Sequence, residues 1–363
     1  MERDQVLAFR AARLGLAERG PRPLAEAAAC PASDFQPGSA LLALAARSDA
    51  VTREAFDRAT DVGDVVVGPT LRAAIHAVAP SDFSLYGRAL IADDAEELME
   101  QLGQQMKAEL TKTSIGPHAA LDEVAGASEA ALREHGALDK NGLHEELRRR
   151  VRDELLPWCK GCKSHHVAPM LWRFALIKAG ARCDSQRRYL LGEPGDSPEP
   201  GEAVRRFLGF YAPATANDFA AWTGVARSHA RRLWLEIEQE LAEVKLDGRR
   251  TWLLEKDLAE LDSPPETRGL RLLPPRDPYL QQTDRATLVP DADLRKRVFR
   301  PVASPGAVLQ DGSLVGLWRA RARGKRLEVE VERIGKIDRD ALEAEADRVA
   351  QLRGSDAADL KGV

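Results

Sequence analysis

The sequence predicts an α+β fold that is mainly helical, with tandem winged helix-turn-helix domains followed by a C-terminal β domain. Three observations predict it. Residues 202–257 hold three short helical patterns and then two β-prone runs around Asp247-Gly248, the element order of a winged helix. Apolar and acidic residues alternate strictly over 327–332, as in a half-buried strand. The 363 residues, 44% of them hydrophobic, are enough for several cores.

The first half of the chain contains short helical patterns interrupted by Pro and Gly. Apolar periodicity predicts helices over 39–46, 95–110 and 145–155. β-prone runs surround Cys183 and occupy 189–191, so we expect a short strand pair there.

The second half continues with helices and then changes to β structure. Helical patterns occupy 202–211, 218–223, 225–240 and 341–352. Turn dipeptides predict β-hairpins at Asp247-Gly248, Asp311-Gly312 and Gly324-Lys325. In the last hairpin Arg319 lies opposite Glu330 and Arg321 opposite Glu328, which we interpret as structural charge pairs. We expect Asp340 to cap the final helix and Gly354 to end it.

We predict four domains along this order of elements. They are a helical and winged-helix domain over 1–114, a winged-helix-like domain with a C-x-x-C turn over 115–193, a winged helix-turn-helix over 202–262 and a β domain with a terminal helix over 268–363. The segment 192–201 (GEPGDSPEPG) separates the second from the third, because it offers Pro, Gly and acid but nothing to bury.

Charge and composition exclude several classes of protein. The 53 basic and 57 acidic residues give a formal net charge of -4, which excludes a wholly basic nucleic-acid coat but allows a local basic face. No segment reaches the ~18 consecutive apolar residues of a membrane span. The N-terminus lacks a signal-peptide pattern. With four cysteines expected to be reduced, we predict a cytoplasmic monomer without a cofactor.

The third helix of the winged helix-turn-helix has a core face and a basic face. On a helical wheel the core face comprises Ala226, Ala230, Leu233 and Ile237. The opposite side and the tip of the wing supply Arg227, Ser228, Arg231, Arg232, Arg249 and Arg250. In a helix-turn-helix these positions enter the major groove or bind phosphates, so we predict that they contact double-stranded DNA. The alternatives are a solvated face and a protein-binding surface.

Cys159 and Cys162 form a C-x-x-C turn that is followed by His165-His166. Thiolate and imidazole are the ligands that tetrahedral zinc prefers, and Cys183 is a candidate fourth ligand. No second C-x-x-C or spaced histidine pair completes the set, however. We therefore predict a tight turn with reduced thiols and no metal, with zinc as the alternative.

Several segments together resemble one protein family. Residues 272–280 (LLPPRDPYL), 284–285 (DR) and 308–319 look like the C-terminal signature of the AlkZ-like winged-helix DNA-binding proteins, a family that includes DNA glycosylases. Residues 157–167 and 71–78 resemble further segments of that family. The resemblance implies tandem winged helices, a C-terminal β domain, a DNA substrate and excision of alkylated bases, including those in interstrand crosslinks.

The resemblance also locates the catalytic motif, a Gln-x-Gln or Gln-x-Asp just before the helix that matches 39–46. Counted back from that helix, the motif positions hold Ser33 and Phe35. Phenylalanine cannot orient water, so we predict a DNA-binding member with a degenerate catalytic motif. Asp34 and Gln36 keep the motif spacing one residue out of register and are the candidate catalytic residues of the alternative, an active glycosylase. His76 is a further polar candidate in that alternative.

Overall fold

The computed structural model describes residues 1–193, 198–199 and 201–362. Residues 194–197 and 200, half of the predicted linker over 192–201, therefore lie outside the described residues. Contacts divide the chain into two units, and each is interleaved in sequence. The first unit comprises Met1–Phe56, Arg205–Asp218 and Glu238–Val363, and the second comprises Asp57–Val204 and Phe219–Ile237.

Helices make up most of the regular structure. The α-helices are α1 (Arg3–Arg13), α2 (Leu24–Ala27), α3 (Ser39–Ala45), α4 (Arg53–Val62), α5 (Phe83–Tyr86), α6 (Ala95–Leu110), α7 (Pro117–His135), α8 (Lys140–Arg150), α9 (Pro169–Lys178), α10 (Glu202–Tyr211), α11 (Ala216–Thr223), α12 (Arg227–Leu235), α13 (Leu258–Asp262), α14 (Arg285–Leu288), α15 (Ala292–Val298) and α16 (Arg339–Leu352). Across the described ranges, no helix is long and apolar enough to cross a membrane.

The strands are short until the C-terminal part of the chain. They are β1 (Ala32–Ser33), β2 (Val66–Pro69), β3 (Ile75–Val78), β4 (Trp158–Cys159), β5 (Ser164–His165), β6 (Ala181–Cys183), β7 (Tyr189–Leu191), β8 (Leu241–Leu246), β9 (Arg249–Leu254), β10 (Leu270–Leu273), β11 (Gly306–Gln310), β12 (Ser313–Arg323), β13 (Arg326–Arg333) and β14 (Ala357–Lys361). The α+β fold and the change to β structure near the C-terminus are confirmed.

The second unit packs helices α6 to α9 beside an antiparallel sheet of order β3-β2-β6-β7. The predicted helix over 95–110 is confirmed at both ends, and Leu98, Leu102 and Met106 are buried in its core. The sheet takes β2 and β3 from the first predicted domain and β6 and β7 from the second. The four-domain division and the tandem winged-helix arrangement stay predictions.

The first unit contains the five-stranded C-terminal sheet, of order β10-β11-β12-β13-β14. Asp311 and Gly312 both have positive φ, as the predicted two-residue turn between β11 and β12 requires. The register of β12 on β13 places Arg319 opposite Glu330 and Arg321 opposite Glu328, as predicted. The structural charge pairs expected there are not confirmed, because neither couple forms an ion pair among the described residues and Arg319 donates instead to the Ala303 carbonyl. The cap of α16 is Asp338, whose carboxylate accepts a hydrogen bond from the Ala341 N–H. The prediction of Asp340 as the cap was wrong by two residues, because the helix begins at Arg339.

Two buried arginines connect the N-terminal helices of the first unit to the segment that follows β10. Arg47 donates to both carboxylate oxygens of Asp277, at 2.8 and 2.9 Å, and this pair is almost wholly inaccessible to water. The Arg47 Nε also donates to the carbonyl oxygen of Leu14, and its Nη1 donates to that of Ala43. Arg10 donates through Nη1 to both carboxylate oxygens of Asp284, at 2.8 and 2.9 Å, and this acid is partly exposed. The resembling motifs over 272–280 and 284–285 thus supply the acidic partners of both arginines.

We expect Asp277→Ala to lower the free energy of unfolding by about 3–5 kcal/mol, because it leaves the Arg47 guanidinium buried without its counter-charge. Urea denaturation followed by circular dichroism measures this. The control is Glu266→Ala, which removes an exposed partner of Arg268 and is expected to cost less than about 1 kcal/mol. Equal losses in the two variants would contradict a structural role for the buried pair.

Candidate active site

The loop that holds the candidate catalytic residues joins β1 to α3. Ser33 is buried in β1, and the buried Asp34 carboxylate accepts a hydrogen bond of 2.9 Å from the Ala40 N–H in the first turn of α3. Gly38 has φ of 88°, a conformation that a side chain would strain. Asp34 therefore fixes the loop to the N-terminus of α3, an end that also favours a negative charge.

Phe35 and Gln36 lie on the exposed side of the same loop. The Phe35 ring is 54% exposed and lies under the Arg276 guanidinium, 4.6 Å from its ring centroid. Arg276 has φ of 63° in the turn that precedes Asp277. The cation–π contact holds an aromatic ring at the surface without burying it.

Gln36 lines a cavity of about 490 Å³ in the first unit. Its side-chain amide makes no hydrogen bond to any residue in the described part of the chain. Trp318 closes the buried side, with its indole N–H donating to the Leu273 carbonyl at 2.8 Å. Gly306, its neighbour on β11, has no room for a Cβ because the indole and that carbonyl already occupy the space.

Three arginines make the cavity cationic. They are Arg53, Arg319 and Arg353, and no carboxylate lines the cavity among the described residues. Arg53 is held by the carbonyl oxygen of Leu352, at 3.0 and 2.6 Å from its Nε and Nη2. Burial, and then the charge of Arg53, lower the pKa of Arg353. Uncompensated guanidinium groups in a polar cavity favour an anionic ligand such as a phosphate.

The remaining polar candidate, His76, is placed in β3 of the second unit. Its side chain is buried, and its Nδ1 lies 2.9 Å from the Thr70 hydroxyl and 3.1 Å from the Ala74 carbonyl oxygen. Both partners belong to the adjacent turn. This is the arrangement of a histidine that stabilises local structure.

Helix α12 has the two faces that the sequence predicts. Ala226, Ala230, Leu233 and Ile237 are buried, whereas Arg227, Ser228, Arg231 and Arg232 are exposed. The helix is shorter than predicted, since it ends at Leu235 and a 3-10 turn follows over Glu238–Glu240. Arg227 and Arg231 make no ion pair within the described ranges, so both are available to a ligand.

Arg232 and Ser228 are bound instead to Glu97 in the first turn of α6. Arg232 donates to both carboxylate oxygens, at 2.5 and 2.6 Å, and the Ser228 hydroxyl donates to one of them at 2.5 Å. The hydrogen bonds from Arg232, and also that from Ser228, lower the pKa of Glu97 to about 2 although the carboxyl group is buried. Two of the six residues that we predicted to contact DNA thus already bind an acidic side chain within the second unit.

The predicted wing is the hairpin β8–β9 of the first unit. Asp247 and Gly248 both have positive φ in its two-residue turn, as predicted. Arg250 pairs with Glu243 of the facing strand and lies 5.7 Å from the Trp252 ring centroid. Arg249 is exposed and has no ion pair among residues that the structure describes.

The C-x-x-C turn connects β4 to β5 in the second unit. The ligand atoms of Cys159, Cys162 and His166 all lie within 4.8 Å of one another. Interaction of the Cys159 sulfur with the Cys162 backbone, and then with the His166 side chain, lowers the pKa of the Cys159 thiol to about 7. Cys183, the fourth ligand considered from the sequence, is buried in β6 and does not belong to this group.

Sequence reasoning missed the cavity arginines and Glu97. Arg53, Arg319 and Arg353 come from α4, β12 and the end of α16, so no local motif connects them. Glu97 lies 135 residues before Arg232, and its only local signal was an acid in the first turn of a predicted helix.

Comparison with known proteins agrees with this architecture. The model of the family described as DNA glycosylase AlkZ-like matches residues 9–352. The interstrand DNA cross-link repair glycosylase of Streptomyces sahachiroi is 28% identical over 306 residues, which cover 76% of each protein. The solved structure of the Streptomyces sahachiroi DNA glycosylase AlkZ superposes over the full length of both chains, with a TM-score of 0.75 at 21% identity. The family resemblance inferred from the sequence is confirmed.

We expect Glu97→Gln to destabilise the protein by about 1.5–3 kcal/mol at pH 7, because charge-assisted hydrogen bonds to Arg232 and Ser228 are lost. The pKa of Glu97 is lowered by folding, so its contribution is complete above its ordinary pKa of 4.5 and disappears as the pH falls towards 2. Urea denaturation of both proteins between pH 7 and pH 3 should show the difference shrinking below pH 4.5.

The control for that measurement is Glu96→Gln, a change in the same turn of α6 at an exposed residue. We expect it to alter stability by less than about 0.5 kcal/mol. A Glu97→Gln penalty that stays constant from pH 7 to pH 3 would contradict the ionic origin of the contact.

Proposed function

The chain belongs to the AlkZ-like DNA glycosylase family, and from that premise we propose that it is an active DNA glycosylase that hydrolyses the N-glycosidic bond of alkylated bases, including those in interstrand crosslinks. The observation that carries the proposal is the Gln36 amide in a cationic cavity of about 490 Å³. The relatives named above are repair glycosylases, which favours this reading over a degenerate one.

Gln36 has a neutral side chain that suits the activation of water in this reaction. Its amide both donates and accepts hydrogen bonds, so it is able to hold and orient a water molecule. The leaving base takes the electrons of the C1′–N bond, and the water adds to the resulting oxocarbenium-like sugar and then loses a proton. An N7-alkylated guanine carries a positive charge before the bond breaks, so it departs neutral and needs no general acid.

The arginines around Gln36 suit the remainder of the substrate. A base displaced from the duplex brings its flanking phosphates with it, and Arg53, Arg319 and Arg353 provide guanidinium donors for them. The exposed Phe35 ring, held by Arg276, is suited to stacking on a nucleobase.

Asp34 acts in this proposal as a positioning residue. Its carboxylate already accepts the Ala40 N–H, so it fixes the loop that presents Gln36. Asparagine retains an oxygen that is able to accept this hydrogen bond, whereas alanine does not. The two substitutions therefore separate positioning from a catalytic charge at Asp34.

We also propose that Arg227 and Arg231 on α12 and Arg249 at the tip of β8–β9 contact the phosphates of double-stranded DNA. All three are exposed and lack an ion pair in the described part of the chain. Ser228, Arg232 and Arg250, which the sequence placed in the same set, are engaged by acidic partners and contribute less.

We expect Gln36→Ala to reduce single-turnover excision of N7-alkylguanine from duplex DNA by about 100-fold or more, because the ordered water is lost. Asp34→Asn is expected to retain most of the activity and Asp34→Ala to lose about 1 kcal/mol of stability. The matched control is Gln105→Ala on the exposed side of α6, with unchanged excision. DNA affinity is measured in parallel for each variant.

Two results would contradict this account. Excision at the background rate by the wild-type protein, combined with tight DNA binding, would identify the degenerate member that the sequence first suggested. Rapid excision that survives Gln36→Ala but is abolished by Asp34→Asn would make Asp34 the catalytic residue.

We expect the double change Arg227→Ala, Arg231→Ala to weaken duplex binding and to lower the slope of log affinity against log salt by about 2, one for each lost phosphate contact. Arg133→Ala, which removes an exposed arginine of α7, is the control and should leave the slope unchanged. An unaltered slope in the double variant would exclude α12 from the DNA interface.

A further inference from the structure

We propose that the β4–β5 turn binds one zinc ion through the Cys159 and Cys162 sulfurs and the His166 Nε2, with the fourth position open to solvent. The sequence alone left this set incomplete, because no second C-x-x-C or spaced histidine pair follows, and it left open whether His165 or His166 would be a ligand. The two sulfurs and a ring nitrogen of His166 already lie within 4.8 Å of one another. Tetrahedral zinc at about 2.3 Å from sulfur and about 2.0 Å from nitrogen requires separations of roughly 3.4–3.8 Å, within reach of side-chain rotation.

The hydrogen bonding of His166 identifies its ligand atom. Its Nδ1 lies 2.8 Å from the Val167 carbonyl oxygen, so that nitrogen carries the proton and donates it. The lone pair is therefore on Nε2, which is buried and has no hydrogen-bond partner among the described residues. A backbone carbonyl on one nitrogen and a free lone pair on the other is the arrangement of a metal-bound histidine.

His165 has a different environment. It lies opposite Trp158 in the β4–β5 register, its ring packs against the Trp158 ring, and its Nδ1 lies 2.8 Å from the Leu156 carbonyl oxygen. Its side chain is thus committed to the other side of the hairpin. The pattern of ligands is C-x-x-C-x-x-x-H, and the metal connects the hairpin to the segment that begins α9.

A disulfide between Cys159 and Cys162 is the competing use of the same thiols. It would leave the buried His166 Nε2 without a partner, at a cost of about 1–3 kcal/mol for an unsatisfied polar atom. Zinc satisfies all three side chains together. Two thiols lose their protons on binding, so the thiolates balance the charge of the ion.

The test uses the full-length protein, expressed without a polyhistidine tag and purified under reducing conditions. Elemental analysis should find about one zinc per chain. Cys162→Ser and His166→Gln should each weaken zinc binding more than about tenfold in competition with a chromogenic chelator. The matched control, His165→Gln, should retain the metal.

Cobalt substitution of the wild-type protein keeps the proposal testable if a ligand variant fails to fold. Cobalt bound here should give the thiolate charge-transfer absorption and the intense d–d bands of a tetrahedral site. A wild-type protein that binds neither metal after reduction overturns the proposal. So does loss of zinc in His165→Gln but not in His166→Gln, or an intact mass that shows a Cys159–Cys162 disulfide in the freshly isolated protein.

Discussion

The buried ion pair between Arg47 and Asp277 is the contact on which the first unit depends. Arg47 directly follows the last turn of α3, so its attachment to Asp277 fixes that helix against the segment after β10. The loop that carries Gln36 is in turn tied to α3 through Asp34. A buried pair of this kind is tolerated because every nitrogen of the guanidinium donates to an acceptor. The position of the candidate catalytic amide is thus set by a contact among residues that touch no substrate.

Packing within the first unit accounts for the polar residues of the motif over 272–280. Asp277 accepts from Arg47 and also from the N–H of Tyr279, and the carbonyl oxygen of Pro278 accepts from the Tyr211 hydroxyl. The Asp277 carboxylate, the Tyr279 N–H and the Pro278 carbonyl of this short stretch thus each have a buried partner. This motif is therefore explained by packing. The candidate residues for chemistry lie instead on the loop between β1 and α3 and around the cavity.

Periodicity and turn chemistry predicted several local elements, although the helix predicted over 145–155 is Lys140–Arg150 in the structure. Leu98, Leu102 and Met106 located α6, and Asp311-Gly312 located a hairpin, because both signals depend only on neighbours in sequence. They were not enough to predict that Arg232 would bind Glu97, since a helical wheel shows exposure but not the acid that approaches from another helix. The cavity was likewise inaccessible, because its arginines are brought together by tertiary packing alone.

Trp318 forms a rigid wall of the cavity. Its indole N–H donates to the Leu273 carbonyl, which fixes the ring. The facing residue on β11 is Gly306, where a side chain would clash with the indole. The remainder of the lining includes the loop residue Gln36 and the charged side chains of Arg53, Arg319 and Arg353. The size of the ligand that the cavity admits therefore depends on the lining away from Trp318, because the tryptophan side has a fixed depth.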